Sequence, residues 1–137
     1  MLIDDLKTLS ETIAELCREE QGIIAAYLFG SSVTRDVRKA RDIDVAILVE
    51  PVEADDFPLL AFASHLERVC GRPVDLVLLN RAGEVLKYQV RRFGRLIFER
   101  DPVRRKQFEI KGRKLYEDFL HLHRRYVRMV LYGVRNP

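Results

Sequence analysis

Two apolar runs of strand length, Ile23-Ile24-Ala25-Ala26-Tyr27-Leu28-Phe29 and Ile43-Asp44-Val45-Ala46-Ile47-Leu48-Val49, constrain this chain more than any other feature. The first is closed abruptly by Gly30-Ser31-Ser32, and the stretch between the runs is polar and basic. That stretch suits a turn or a single helical turn. It is too short for a full helical crossover, so the two strands are expected to be antiparallel neighbours. A third apolar run, Val74-Asp75-Leu76-Val77-Leu78-Leu79, follows Pro73, and a short fourth, Arg95-Leu96-Ile97-Phe98, follows Gly94.

Helical periodicity fills the gaps. Leu2, Leu6, Leu9, Ile13, Leu16 and Cys17 step by three and four over residues 2–20, the spacing of one buried helix face. Pro58 suits the first turn of a helix running to Gly71, with Asp55 and Asp56 before it. Residues 82–93 read as a helix, and so do residues from Pro102 to about Tyr132. Strands alternating with helices in 137 residues give an α/β (α+β) domain. The expected architecture is a small mixed sheet of about four strands flanked by helices, with a long C-terminal helix. We read residues 1–137 as one domain, with a core at about 20–100 and a helical extension at about 102–132.

The last helix carries two apolar stripes. Phe108, Leu115, Phe119, Leu122, Tyr126 and Met129 form one, which would most simply cover the sheet. Tyr116, Leu120, Val127 and Leu131 form another, and a helix apolar on two sides in so small a chain suits a homodimer or a hetero-oligomer through that helix. Charge is also uneven. Residues 1–100 carry 14 Lys and Arg against 17 Asp and Glu, a net of −3, whereas residues 101–137 carry 10 against 4, a net of +6. A basic end meets a polyanion or an acidic partner, or is simply a solvated face. Without a glycine-aromatic RNA signature or a recognition helix, nucleic acid is not the expected partner.

Cys17 and Cys70 form no metal-ligand spacing and suit a reduced interior. No apolar run approaches the ~20 residues that cross a bilayer, and acids stand where a signal peptide needs positive charge. A cytoplasmic protein without a membrane segment is expected. His121 and His123, two apart on a helix, face different ways, and Ser64-His65 has no elbow motif. Tyr88, Arg91 and Arg92 fall near a helix end, within possible reach of a nucleotide base or phosphate, although a solvated role is the simpler reading.

Chemistry concentrates in two segments. Asp42 and Asp44 stand two apart at the start of a strand and project from one face. Asp75 interrupts the third strand; if that strand neighbours the second, three carboxylates converge at one end of the sheet. Like charges so placed are rewarded by a divalent cation, and Mg²⁺ favours a few carboxylates completed by phosphate oxygens. Gly30-Ser31 supplies backbone amides and a hydroxyl for an anion. Carboxylates beside an amide-rich turn suit phosphoryl or nucleotidyl transfer.

Gly-Ser, ten residues, Asp-x-Asp and a later strand Asp resemble the nucleotidyltransferase superfamily related to DNA polymerase β. The likeness covers about residues 20–100, from LFGSS through RDIDVAIL and PVDLVLLN to GRLIFERD. It is nearest to the minimal nucleotidyltransferases (MNT), antitoxins that act beside HEPN-domain toxins. The resemblance implies that Gly30, Ser31, Ser32 and Arg35 hold the triphosphate of ATP. It also implies that Asp42, Asp44 and Asp75 are the catalytic acids and bind two Mg²⁺ ions, with Asp75 helping to deprotonate the acceptor hydroxyl. AMP would pass to a tyrosine of a HEPN toxin and neutralise it.

The sequence departs from the family in one place. Many minimal members read Gly-Ser-x-x-Arg-Gly, but here Thr34, Arg35 and Asp36 follow Gly-Ser-x-x. Arg35, Arg38 and Lys39 are the candidates to replace the displaced arginine. Two rival readings are transfer to a small molecule of aminoglycoside type, and a non-catalytic module that silences a toxin by occlusion.

Overall fold

The computed structural model describes residues 5–34 and 36–133. Element order is α1 (Leu6–Glu19), β1 (Ile23–Phe29), α2 (Ser31–Thr34), β2 (Ile43–Val49), α3 (Leu59–Cys70), β3 (Val74–Leu78), α4 (Glu84–Phe93), β4 (Arg95–Glu99) and α5 (Pro102–Tyr132). A 3-10 turn at Val37–Lys39 lies between α2 and β2. These elements fall within a few residues of the sequence expectation; Leu2 lies outside the described residues.

The four strands form one mixed sheet in the order β3-β2-β1-β4. β1 pairs antiparallel with β2 and with β4, while β2 and β3 run parallel, joined through α3. The central strands are buried along almost their whole length because helices cover both faces. β3 and β4, the edges, are shorter and partly exposed.

On one face, Leu9, Ile13 and Cys17 of α1 meet Phe62, Leu66 and Cys70 of α3 over Leu28, Val45 and Ile47. On the other, Val90 and Leu86 of α4 and Phe108 of α5 cover Tyr27, Ala46, Leu48 and Val77. Both cysteines are free thiols, and burial pushes Cys17 up to about 12 and Cys70 up to about 11. No helix of the described residues is long and apolar enough to cross a membrane.

Two polar devices hold one end of the sheet, where Ile23 pairs with Val49. Arg100 donates to the Ile23 carbonyl at 3.0 Å and to the Arg18 carbonyl at 2.8 Å, satisfying acceptors at the end of α1. Asn80 accepts from the Val49 amide and donates to the Val49 carbonyl, both at 2.9 Å, extending the β2 edge beyond its last strand partner.

The last two helices run toward the same end of the sheet. α4 leaves β3 at the Val49 end and returns to the Phe29 end, where Arg95 pairs with Leu28. α5 also starts at the Val49 end, where Asp101 caps it and Arg104 pairs with Glu50. It passes Tyr27, whose hydroxyl donates to Glu109 at 3.0 Å, and reaches Arg91 at Gly112. The 31 residues of α5 span ~46 Å, about twice the length of β1. Residues beyond Gly112 therefore run past the Phe29 end.

That length corrects the expectation that the first apolar stripe covers the sheet. Phe108 does so, and Phe119 stacks on Tyr116. Leu122, Tyr126 and Met129 are 61%, 63% and 54% exposed because no sheet lies beneath them.

Candidate active site

The parallel register of β2 and β3 sets Asp44 directly beside Asp75. Ile43 donates to the Pro73 carbonyl at 2.9 Å and starts that ladder, so the pairing of the two acids follows from the backbone. Asp44 shares its sheet face with Ala46 and Leu48, and Asp75 shares its face with Val77, which places both on the α4/α5 side. Asp42 is exposed just before β2. Partial burial, then the charge of Asp75, then that of Asp42, hold the Asp44 carboxyl above its ordinary value. Three negative charges acting on one site in a folded protein mark a place suited to a cation.

β1 ends opposite these acids, with Phe29 paired to Asp44. Gly30 turns the chain there with φ +73°, a left-handed conformation that side chains disfavour. A Cβ at Gly30 would also collide with the Asp44 carboxylate. The glycine thus lets the turn and the acid lie in direct contact. Ser31 begins α2 half-buried. Ser32, a candidate triphosphate contact, turns its hydroxyl inward. It is 1% exposed and its Oγ donates to the Phe29 carbonyl at 3.3 Å, so its side chain builds the turn.

Arg35 lies outside the described residues. Of the other two candidates for the displaced arginine, Arg38 pairs with Asp36 at 2.8 Å, and its hydrogen bonds bring Asp36 down to about 2. Lys39 is exposed in the same turn.

Arg72 was not legible as a site residue. From the approach to β3 it donates to the carbonyls of Val37 and Ala40, bracing the loop that leads into Asp42. No sequence signal marks it, because the contact depends on the β2–β3 register. Tyr88 and Arg91 also differ from a solvated helix end, whereas Arg92 is exposed as that reading expects. Tyr88 is half-buried and stacks on Tyr116 with ring centroids 4.3 Å apart, forming a groove with Arg113 and Glu117.

Among the described residues, no three His, Cys, Asp or Glu side chains enclose a metal by themselves. What the site offers is an adjacent pair of carboxylates with a third nearby. That donor set fits Mg²⁺, which is commonly held by one or two carboxylates and completed by substrate phosphates and water.

The sequence profile of the family described as polymerase beta, nucleotidyltransferase matches residues 11–103, which contain the turn and all three acids. The chain belongs to this nucleotidyltransferase family. No curated protein matches it in sequence. Among solved structures, a chain of a toxin–antitoxin pair crystallised with AMP-PNP superposes with a TM-score of 0.71 at 24% identity, covering 89% of this chain and 98% of that one. A chain from the complex of a tri-AMPylated Shewanella oneidensis HEPN toxin with an MNT antitoxin gives 0.69 at 22% identity, covering 91% and 98%. The MntA–HepT toxin–antitoxin pair gives the same score, identity and coverage. At these identities the likeness concerns the nucleotidyltransferase fold.

Proposed function

We propose that this nucleotidyltransferase moves AMP from ATP to the hydroxyl of a tyrosine on a HEPN-domain toxin, and that it is the cytoplasmic antitoxin of that pair. The observation that carries the reading is the contact of the Gly30 turn with the Asp44 carboxylate, beside Asp75. Donor phosphates held by the turn would lie against the acids. The amides of Gly30 and Ser31 and the Ser31 hydroxyl then bind the triphosphate. Arg35 remains a candidate phosphate ligand, and Ser32 contributes through its backbone.

Asp42, Asp44 and Asp75 would hold Mg²⁺, two ions in the full site. When bound, the metal aligns the donor phosphates and neutralises charge on the reacting one. The acceptor oxygen forms a bond to the α-phosphorus, the bond to the β-phosphate oxygen breaks, and pyrophosphate leaves. Asp75 receives the hydroxyl proton.

Similar chains occur in a pair bound to an ATP analogue and in a complex whose HEPN toxin carries AMP groups, which supports ATP as donor and a HEPN protein as acceptor. The projecting half of α5, apolar and arginine-rimmed, gives such a partner a docking surface at the catalytic end. Its toxin is expected to accept more than one AMP, as the tri-AMPylated relative does.

The test is incorporation of label from α-³²P-ATP with Mg²⁺, with the co-expressed HEPN partner present. Label is expected on the partner, and the variant carrying Asp42→Asn and Asp44→Asn should bind the partner yet transfer none. Wild-type rates in that variant would overturn the metal-site assignment. A stable complex that never takes label would favour occlusion.

A further inference from the structure

The three acids are not held alike. Asp44 and Asp75 lie in register on neighbouring strands, so the β2–β3 ladder fixes both. Asp42 stands outside that ladder, in an exposed bend at residues 41–42. Its charge acts on Asp44 together with that of Asp75. Like charges so close push one another apart, and the acid on the bend is the one free to yield.

Two anchors flank the bend, and both come from Arg72-Pro73. Upstream, the Arg72 guanidinium donates from one nitrogen, Nη1, to the carbonyls of Val37 and Ala40. Downstream, the Pro73 carbonyl accepts from the Ile43 amide at 2.9 Å. Val37, Ala40 and Ile43 are buried, whereas Arg41 and Asp42 are exposed. Asp42 thus sits on a short arch whose two feet stand on one dipeptide.

That dipeptide is itself fastened to α3. Gly71 ends the helix in a left-handed turn, φ +74°, and its amide donates to the Glu67 carbonyl at 2.8 Å. The Glu67 carboxylate accepts from the Val74 amide at 3.0 Å, which ties the helix to the start of β3. Arg72 is half-buried in this link and, among the described residues, forms no ion pair with a carboxylate. Its charge is directed at backbone carbonyls, where a cationic donor makes the stronger kind of hydrogen bond.

We propose that Arg72 is a positioning residue for the metal site, an inference that rests on the nucleotidyl-transfer reading: it holds Asp42 where that carboxylate can share a cation with Asp44 and Asp75. Without the guanidinium, the upstream foot keeps only the apolar anchorage of Val37 and Ala40, and Asp42 gives way to its two neighbours. The Asp44–Asp75 pair, set by the ladder, stays in place. The loss therefore falls on cation affinity, and on the reaction through it.

The probe is Mn²⁺ alone, titrated into the full chain and followed by the electron paramagnetic resonance of the free ion. Arg72→Gln should raise the half-saturating Mn²⁺ concentration about tenfold or more. Arg72→Lys, whose ammonium still donates to a carbonyl, should raise it less. In transfer assays the half-saturating Mg²⁺ should rise with it, while kcat falls less. The deciding comparison is the Asp42→Ala background, where Arg72→Gln should weaken Mn²⁺ binding no further, because the carboxylate it positions is gone. A further loss there as large as in the wild-type background would make Arg72 a general support of the fold and overturn the proposal. So would an unchanged Mn²⁺ titration in Arg72→Gln. Should Arg72→Gln fail to fold, Arg72→Lys in the two backgrounds decides the question in the same way. Absence of Mn²⁺ binding to the wild type would instead remove the metal-site reading beneath it.

Discussion

Among single residues, the site turns on how closely a turn and an acid are allowed to approach. Gly30 combines a positive φ with contact against Asp44. Gly30→Ala should cost more than about 1 kcal/mol from the left-handed backbone alone, read as a lowered denaturation midpoint, with transfer falling further because the acid must move. A midpoint equal to wild type would show that the turn relaxes freely. Asp44 titrates above the ordinary carboxylate value of 3.8 because of burial first and the charges of Asp75 and Asp42 second. In the metal-free protein, Asp75→Asn should lower the Asp44 pKa without fully restoring 3.8, as followed by carboxyl NMR. An unchanged titration would show that the two acids do not interact. The folded state holds the Asp44 proton more tightly than the unfolded one, so this group's contribution to stability falls as pH rises above 3.8. Asp44→Asn should therefore stabilise the metal-free fold at neutral pH and lose that advantage in acid.

Among the helices and strands, α5 has two halves with different work. Its first half is fastened to the sheet through Phe108, through the Tyr27–Glu109 hydrogen bond, and through Arg105, which pairs with Glu99 at 2.7 Å and also with Glu109. Its second half exposes Leu122, Tyr126 and Met129. Tyr126→Glu with Met129→Glu should leave thermal stability within about 0.5 kcal/mol of wild type, as exposed positions do. Capture of the proposed HEPN partner should weaken about tenfold or more, measured by titration of one protein into the other. Unweakened capture would place the interface elsewhere.

Over the full chain, charge is segregated, with −3 over residues 1–100 and +6 over residues 101–137. The basic segment includes the half of α5 that runs past the catalytic end. An acidic partner approaching α5 would be steered toward the carboxylate end of the sheet, so its association rate should fall as salt rises while its dissociation rate changes little. Stopped-flow mixing at low and high salt reads this directly. An association rate indifferent to salt would show that the segregation has no part in docking.

Much of this architecture was legible in the chain. Periodicity marked the main helices and strands because burial of alternate or every third and fourth residue is a local demand. The short link between Phe29 and Ile43 required β1 and β2 to be antiparallel. Asp44 and Asp75 stood out because acids are poorly rewarded within strands, and Gly30 and Asp42 because they sit at the strand ends beside them. Other features depend on which strands lie side by side and where a helix points. The β2–β3 register put Asp44 beside Asp75 and brought Arg72 over the loop. The inward rotation of Ser32 and the stacking of Tyr88 on Tyr116 came from packing that no local pattern encodes. An apolar stripe declares that a helix face will be covered, but not by what. The assembled sheet, seven residues long in its central strands, is what α5 outruns, and that mismatch in length leaves the far part of the stripe uncovered.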